Sequence, residues 1–200
     1  MSGDDETRSS LIDRVRLGDD TESWKEFVEL YEPLLERYIR GLGMPDSDVS
    51  DVVQEVFIRL LRSLPTFKID RLRARFRTWL WKITRNAVTD LVRRRQRRAR
   101  FEDEWASEVA LSEELGEEPD EEWLLEHRRR ILEFGMLKAQ GAVEPRTWQC
   151  FAQHLLGSRP AAEVADGLGL SANAVYVNSS RVLDRLRVLC REFDEELGDS

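Results

Sequence analysis

Residues 159–192, RPAAEVADGLGLSANAVYVNSSRVLDRLRVLCRE, decide how this chain is read. A short helix fits residues 161–168, with Ala165 inside it. Gly169 then suits a left-handed turn, and Ser171 can cap a second helix that begins at Ala172. That is the punctuation of a helix-turn-helix. Three- and four-residue spacing puts Val175, Val182, Leu186 and Phe193 on the inner face of the second helix. Asn173, Val177, Ser180, Arg181 and Asp184 share its outer face. A recognition helix lays such a face in the major groove, where Asn and Arg read base edges in pairs of hydrogen bonds. The face holds few basic residues, so an ordinary helical hairpin stays open beside the DNA-binding reading that the segment favours.

Outward from this motif the chain continues as helix, and no stretch alternates with period two for long enough to suggest a sheet. Leu11, Ile12 and Val15 mark a short helix from Ser10 to Gly18. After Thr21, the residues Trp24, Phe27, Val28, Tyr31, Leu35, Tyr38 and Leu42 form one face of a long helix, which Pro33 is expected to kink or split. A third helix opens at Ser47 or Asp48 and buries Val49, Val52, Val53, Val56, Phe57, Leu60 and Leu64. Its opposite face carries Asp51, Gln54, Glu55, Ile58 and Arg62. Ile58 is apolar in a polar face; a scattered surface hydrophobe and a partner-docking face explain it equally well.

Pro65 breaks the chain, and residues 66–75 read as a basic loop. A fourth helix spans about 75–98 with Phe76, Trp79, Leu80, Ile83, Ala87 and Leu91 toward the core. Trp81, Val88 and Val92 form a second strip, which favours helix packing over base stacking. Residues 101–119 read as an acidic linker, broken by Gly116 and Pro119. Helix resumes over 120–140, with Trp123, Leu124, Ile131, Phe134 and Leu137 as core candidates. Pro145 suits the first turn of a further helix carrying Trp148, Phe151, Ala152 and Leu155, with Cys150 on the opposite, exposed face.

The formal charge of −8 argues, taken alone, against a nucleic-acid binder. Its distribution argues otherwise. Residues 65–100 hold 13 basic and 2 acidic side chains, net +11, and residues 101–127 hold 12 acidic side chains and no Lys or Arg. The linker could lie in a basic channel of a partner, or fold back on the basic helix.

Several function classes have no material here. No apolar run approaches a membrane span and the polar N-terminus has no signal-peptide core, so a cytoplasmic protein without membrane insertion is expected. Cys150 and Cys190 stand 40 residues apart with no CxxC, and His127 and His154 sit in no HExxH. No glycine-rich phosphate loop occurs, and the Asp46, Asp48 and Asp51 cluster lacks the spacing of an EF-hand and reads as an acid-rich helix start. The expectation is no catalytic residue, no metal and no cofactor.

These segments together resemble an extracytoplasmic-function (ECF) sigma factor of the sigma-70 family. DSDVSDVVQEVFIRLLRSLPTF (46–67) resembles the region-two helix that docks on RNA polymerase. RFRTWLWKITRNAVTDLVRRRQRR (75–98) resembles the helix that melts and reads the minus-ten element. GSRPAAEVADGLGLSANAVYVNSSRVLDRLR (157–187) resembles the region-four motif that reads the minus-thirty-five element. The resemblance implies an all-α protein of two helical domains, region two over 1–100 and region four over 120–200, joined by the acidic linker 101–119. It implies that Asp51, Gln54, Glu55, Ile58 and Arg62 meet the clamp helices of the polymerase beta-prime subunit. It places Arg75, Lys82, Arg85, Asn86, Asp90 and Arg93 at the minus-ten element, and Asn173, Tyr176, Val177, Ser180 and Arg181 at the minus-thirty-five element. Core RNA polymerase, promoter DNA and an anti-sigma factor are the implied partners. Val177, Asn178 and Ser179 depart from the more basic recognition helices common in that family. Two other readings are weighed beside it: a stand-alone helix-turn-helix regulator, and an adapter or anti-sigma-like protein whose basic block serves an acidic partner.

Overall fold

The computed structural model describes residues 11–17, 21–67, 76–102 and 118–193, apart from the side chains of Leu17 and residues 98–102. Arg75, nearly all of the basic loop and most of the acidic linker lie outside the described residues. The described elements are helical throughout: α1 (Leu11–Leu17), α2 (Thr21–Gly41), α3 (Asp46–Ser63), α4 (Phe76–Glu102), α5 (Glu121–Gly141), α6 (Pro145–Phe151), α7 (Ala161–Leu168) and α8 (Ala172–Phe193). The all-α reading holds. Two compact units divide them, residues 12–130 and residues 131–193 with Leu11, so the division falls inside α5.

In the first unit, α3 packs against both α2 and α4. The apolar stripe of α2 is buried through Phe27, Tyr31, Leu35 and Tyr38, and that of α3 through Val49, Val52, Val53, Val56 and Leu60. Helix α4 is turned relative to its expected face. Phe76, Leu80 and Ala87 are buried as expected, but Trp79, Ile83 and Leu91 are only half-buried. Trp81, Thr84, Val88 and Val92 take the core instead. Two hydrogen bonds let the polar members of that face go inside: Trp81 Nε1 donates to Tyr38 Oη at 2.9 Å, and Thr84 Oγ1 to the Leu80 carbonyl at 2.9 Å. Trp79 stacks on Phe67 at 4.3 Å between centroids, at the edge of the aromatic cluster of Phe27, Tyr31, Phe57 and Phe76.

Pro33 neither splits nor ends α2, which runs unbroken from Thr21 to Gly41. Proline has no N–H for the carbonyl four residues back, that of Glu29. Arg130 supplies the donors: Nη2 to the Glu29 carbonyl at 2.6 Å and Nε to the Leu30 carbonyl at 3.0 Å. Arg130→Met is therefore expected to cost about 1.5–3 kcal/mol, the range for hydrogen bonds that involve a charged group. In a Pro33→Ala background, where residue 33 regains its N–H, the cost should drop by at least half. A double-mutant cycle by urea denaturation measures the difference.

The same contact belongs to a longer seam. The first turns of α5 lie antiparallel to α2, pairing Asp120 and Trp123 with Tyr38, Glu126 with Arg37, His127 with Tyr31, and Arg130 with the Leu30 carbonyl. Asp120 serves twice. Its Oδ1 accepts the Trp123 backbone N–H at 2.9 Å and so caps α5. Its Oδ2 accepts the Tyr38 hydroxyl at 2.5 Å and Trp81 Nε1 at 3.2 Å. Burial, and then the hydrogen bond to Asp120, push the Tyr38 phenol up, so it stays a donor across the physiological range.

In the second unit, α8 packs on α6 and α7. Gly169 closes α7 with φ 61° and ψ 45°, and the Leu170 N–H reaches the Ala165 carbonyl at 2.9 Å. Ser171 Oγ accepts the Ala174 N–H at 3.2 Å and caps α8. Val175, Val182, Leu186 and Phe193 are buried as the spacing required. Cys150 is a correction. Expected on an exposed face, it is fully buried in the core of the motif with Ala161, Val164, Ala165 and Val175. Leu155, expected inside, is 42% exposed. The reason is a π turn over Ala152–Leu156, where the Gly157 N–H bonds the Ala152 carbonyl at 2.8 Å. One added residue in that turn rotates Leu155 off the buried face.

Candidate functional site

Helices α3 and α4 bring two of the expected residue sets into one packed pair. On α3, Asp51, Gln54 and Arg62 are exposed, and Glu55 and Ile58 are half-buried beside them. On α4, Lys82, Asn86 and Arg93 are exposed on the side away from Leu80, Thr84 and Val88. Arg85 is half-buried. Asp90 differs from its neighbours: its Oδ2 accepts Arg59 Nη2 at 2.9 Å, while Arg59 Nε reaches Glu55 Oε1 at 2.8 Å.

Arg59 thus bridges one residue of the expected polymerase-docking set and one of the expected DNA set. Sequence reasoning passed over it, although Glu55 and Arg59 form an i,i+4 pair that helix geometry would have flagged. The two carboxylates, Arg59, Arg94 and Arg97 line a shallow polar cleft of about 260 Å³. A second tie joins the ends of the pair, where the Arg95 guanidinium meets the buried Asp48 carboxylate. Arg95 is therefore partly committed to the fold.

The third set sits on α8 in the other unit. Asn173, Tyr176, Val177, Ser180 and Arg181 are all exposed, Tyr176 at 56% and Val177 at 41%. Tyr176 meets the His154 ring edge-on at 5.1 Å. His154 Nδ1 donates to the Arg159 carbonyl at 2.8 Å, which braces the turn leading into α7. Asn178 is turned inward, with Nδ2 on Cys150 Sγ at 3.7 Å. It sits in the very stretch, 177–179, that departs from basic recognition helices.

Comparison with known proteins bears on both units. The family model of sigma-70 region 2 matches residues 27–98, which contain α3 and most of α4. The RNA polymerase sigma factor NccH of Alcaligenes xylosoxydans xylosoxydans is 29% identical over 180 residues, covering 90% of this chain and 92% of that protein. The ECF RNA polymerase sigma-E factor of Escherichia coli (strain K12) is 32% identical over 135 residues, 63% of this chain and 66% of that protein. The chain belongs to the sigma-70 family of RNA polymerase sigma factors, in its ECF group.

As a sigma factor it is a promoter-specific transcription initiation factor that works with RNA polymerase, and it is not an enzyme. Among the described residues, no helix is long and apolar enough to cross a membrane. The region-2 match ends at residue 98, so the α8 face of this sigma factor rests on its helix-turn-helix geometry and on the relatives whose similarity spans most of the chain.

Proposed function

We propose that this sigma factor works in the cytoplasm, docks on the beta-prime clamp helices through α3 and directs transcription from promoters with minus-ten and minus-thirty-five elements. Asp51, Gln54, Glu55, Ile58 and Arg62 form the docking face, and residues 1–100 and 120–200 act as regions two and four. Lys82, Arg85, Asn86 and Arg93, with Arg75 beyond the described residues, face the minus-ten element. Asn173, Tyr176, Val177, Ser180 and Arg181 face the minus-thirty-five element.

The observation that supports this best is the division of α4 into two faces. Trp81, Thr84 and Val88 are inside, and Lys82, Asn86 and Arg93 are outside on the same turns. Cations there grip phosphates without reading sequence, and Asn86 has the two-sided amide that can read a base edge. Capture of unstacked bases offsets the few kcal/mol that melting a step requires.

Transcription from a promoter library with purified core polymerase tests the assignment. New start sites that depend on this chain are expected. A stand-alone regulator would bind duplex DNA without polymerase and create none, and an adapter would do neither. Within the docking face, Ile58→Glu is expected to weaken core binding at least tenfold by placing a charge in an apolar contact. A fluorescence titration against core polymerase reads it, and unchanged affinity would remove Ile58 from the face.

A further inference from the structure

Asp90 sits in the wrong company for a residue that handles DNA. It is the single acid between residues 76 and 97, among Arg77, Lys82, Arg85, Arg93, Arg94, Arg95 and Arg97. A free carboxylate on such a helix repels the phosphates that its neighbours attract. It is not free: Arg59, reaching across from α3, holds Asp90 Oδ2 at 2.9 Å and Glu55 Oε1 at 2.8 Å. Arg94 donates Nε to the backbone carbonyl of Asp90 at 3.2 Å and leaves the carboxylate to Arg59.

We propose that Arg59 is a positioning residue for promoter binding, which holds the Asp90 carboxylate against α3 and keeps its charge off the DNA-facing side of α4. Asp90 is then a structural anion and not a base-reading group, although it falls within the minus-ten helix. The inference rests on the reading of α4 as the DNA-facing helix. The bond crosses from α3 to α4, so the side chain that shields the DNA face comes from the polymerase-docking helix. Because Arg59 is shared with Glu55, the three groups together keep one negative charge. A polymerase cation meeting Glu55 would neutralise that charge and leave Arg59 wholly to Asp90.

The test uses full-length chain with core polymerase in excess, so that core affinity does not limit the readout, and measures promoter DNA affinity against salt. Arg59→Met should weaken binding about fivefold at low salt, the effect of one uncompensated charge near phosphates, and less at high salt. Adding Asp90→Asn should restore the affinity to within about twofold of the starting protein, because the charge that Arg59 shielded is gone. Arg59→Lys should retain most of it. A purely structural role would instead give additive losses and no rescue. Asp90→Asn alone, which needs no tolerance of change at residue 59, should tighten binding modestly; a loss would mean that Asp90 itself contacts DNA and would overturn the proposal. Lys82→Ala separates the two layers. If it weakens binding and Arg59→Met does not, only the shielding is wrong; if neither does, α4 is not the DNA-facing helix.

Discussion

Trp123→Ala should cost the 12–130 unit about 3–5 kcal/mol, the range for deleting a buried indole, even though Trp123 lies 25 residues beyond the region-2 match. The ring is fully buried and packs edge-on against Tyr38 at 4.9 Å, and Tyr38 in turn carries the Trp81 and Asp120 hydrogen bonds. Removing it leaves a cavity beside that polar triad, which admits water to three groups arranged to do without it. Native-state hydrogen exchange should therefore show faster opening of α2 around residues 34–39 and of α4 around 80–84. A companion experiment compares fragments ending at residues 119 and 130. The longer one should be markedly more stable, because only it contains Trp123, His127 and Arg130. Equal stability would mean that the α5 seam contributes nothing to this unit.

Acidification should destabilise the same unit through His127. Burial, and then the nearby Arg77 and Arg128 charges, push its imidazole down from the ordinary value to about 3. Folded His127 is thus neutral, while the unfolded chain takes up a proton near pH 6.5. The unfolded state binds more protons between these values, so stability is lost as pH falls from about 6.5 toward 3 and levels off below. The slope approaches about 1.4 kcal/mol per pH unit, so near pH 4.5 the loss is about 2–3 kcal/mol. Urea denaturation between pH 8 and pH 4 measures it. His127→Phe, which keeps an aromatic ring against Tyr31, should flatten that part of the profile. If its profile matches that of the unaltered protein, the acid response belongs to other groups.

Much of the site was legible along the chain because the features concerned are local. The caps Gly169 and Ser171, the turn they form between α7 and α8, and the outward set from Asn173 to Arg181 depend on residues within a few positions of each other. The same is true of the valine stripe of α3 and of the polar face beyond it. What spacing could not settle was which of two apolar strips on α4 goes inside. Trp79 and Trp81 are equal candidates until Tyr38 and Asp120 are seen to satisfy the Trp81 indole N–H. Leu155 was misplaced for a different reason, since a single π turn shifts every later position by one residue. Cys150 precedes that turn and is buried because Val164 and Ala165 of α7 and Val175 of α8 close around it.

Sequence alone therefore determined the helical class, the helix-turn-helix and the separation of basic from acidic blocks. Each follows from propensity, capping or charge, which act over a few residues. Only the tertiary structure decided that Pro33 can stay inside a helix, that residues 120–130 complete the core of the first unit, and that Asp90 is held by Arg59. Those outcomes depend on partners 31 to 101 positions away, for Arg59 with Asp90 and Arg130 with Glu29 respectively. A buried carbonyl, an indole N–H or a lone carboxylate states only that it needs a partner; the packing of distant helices chooses which one it gets.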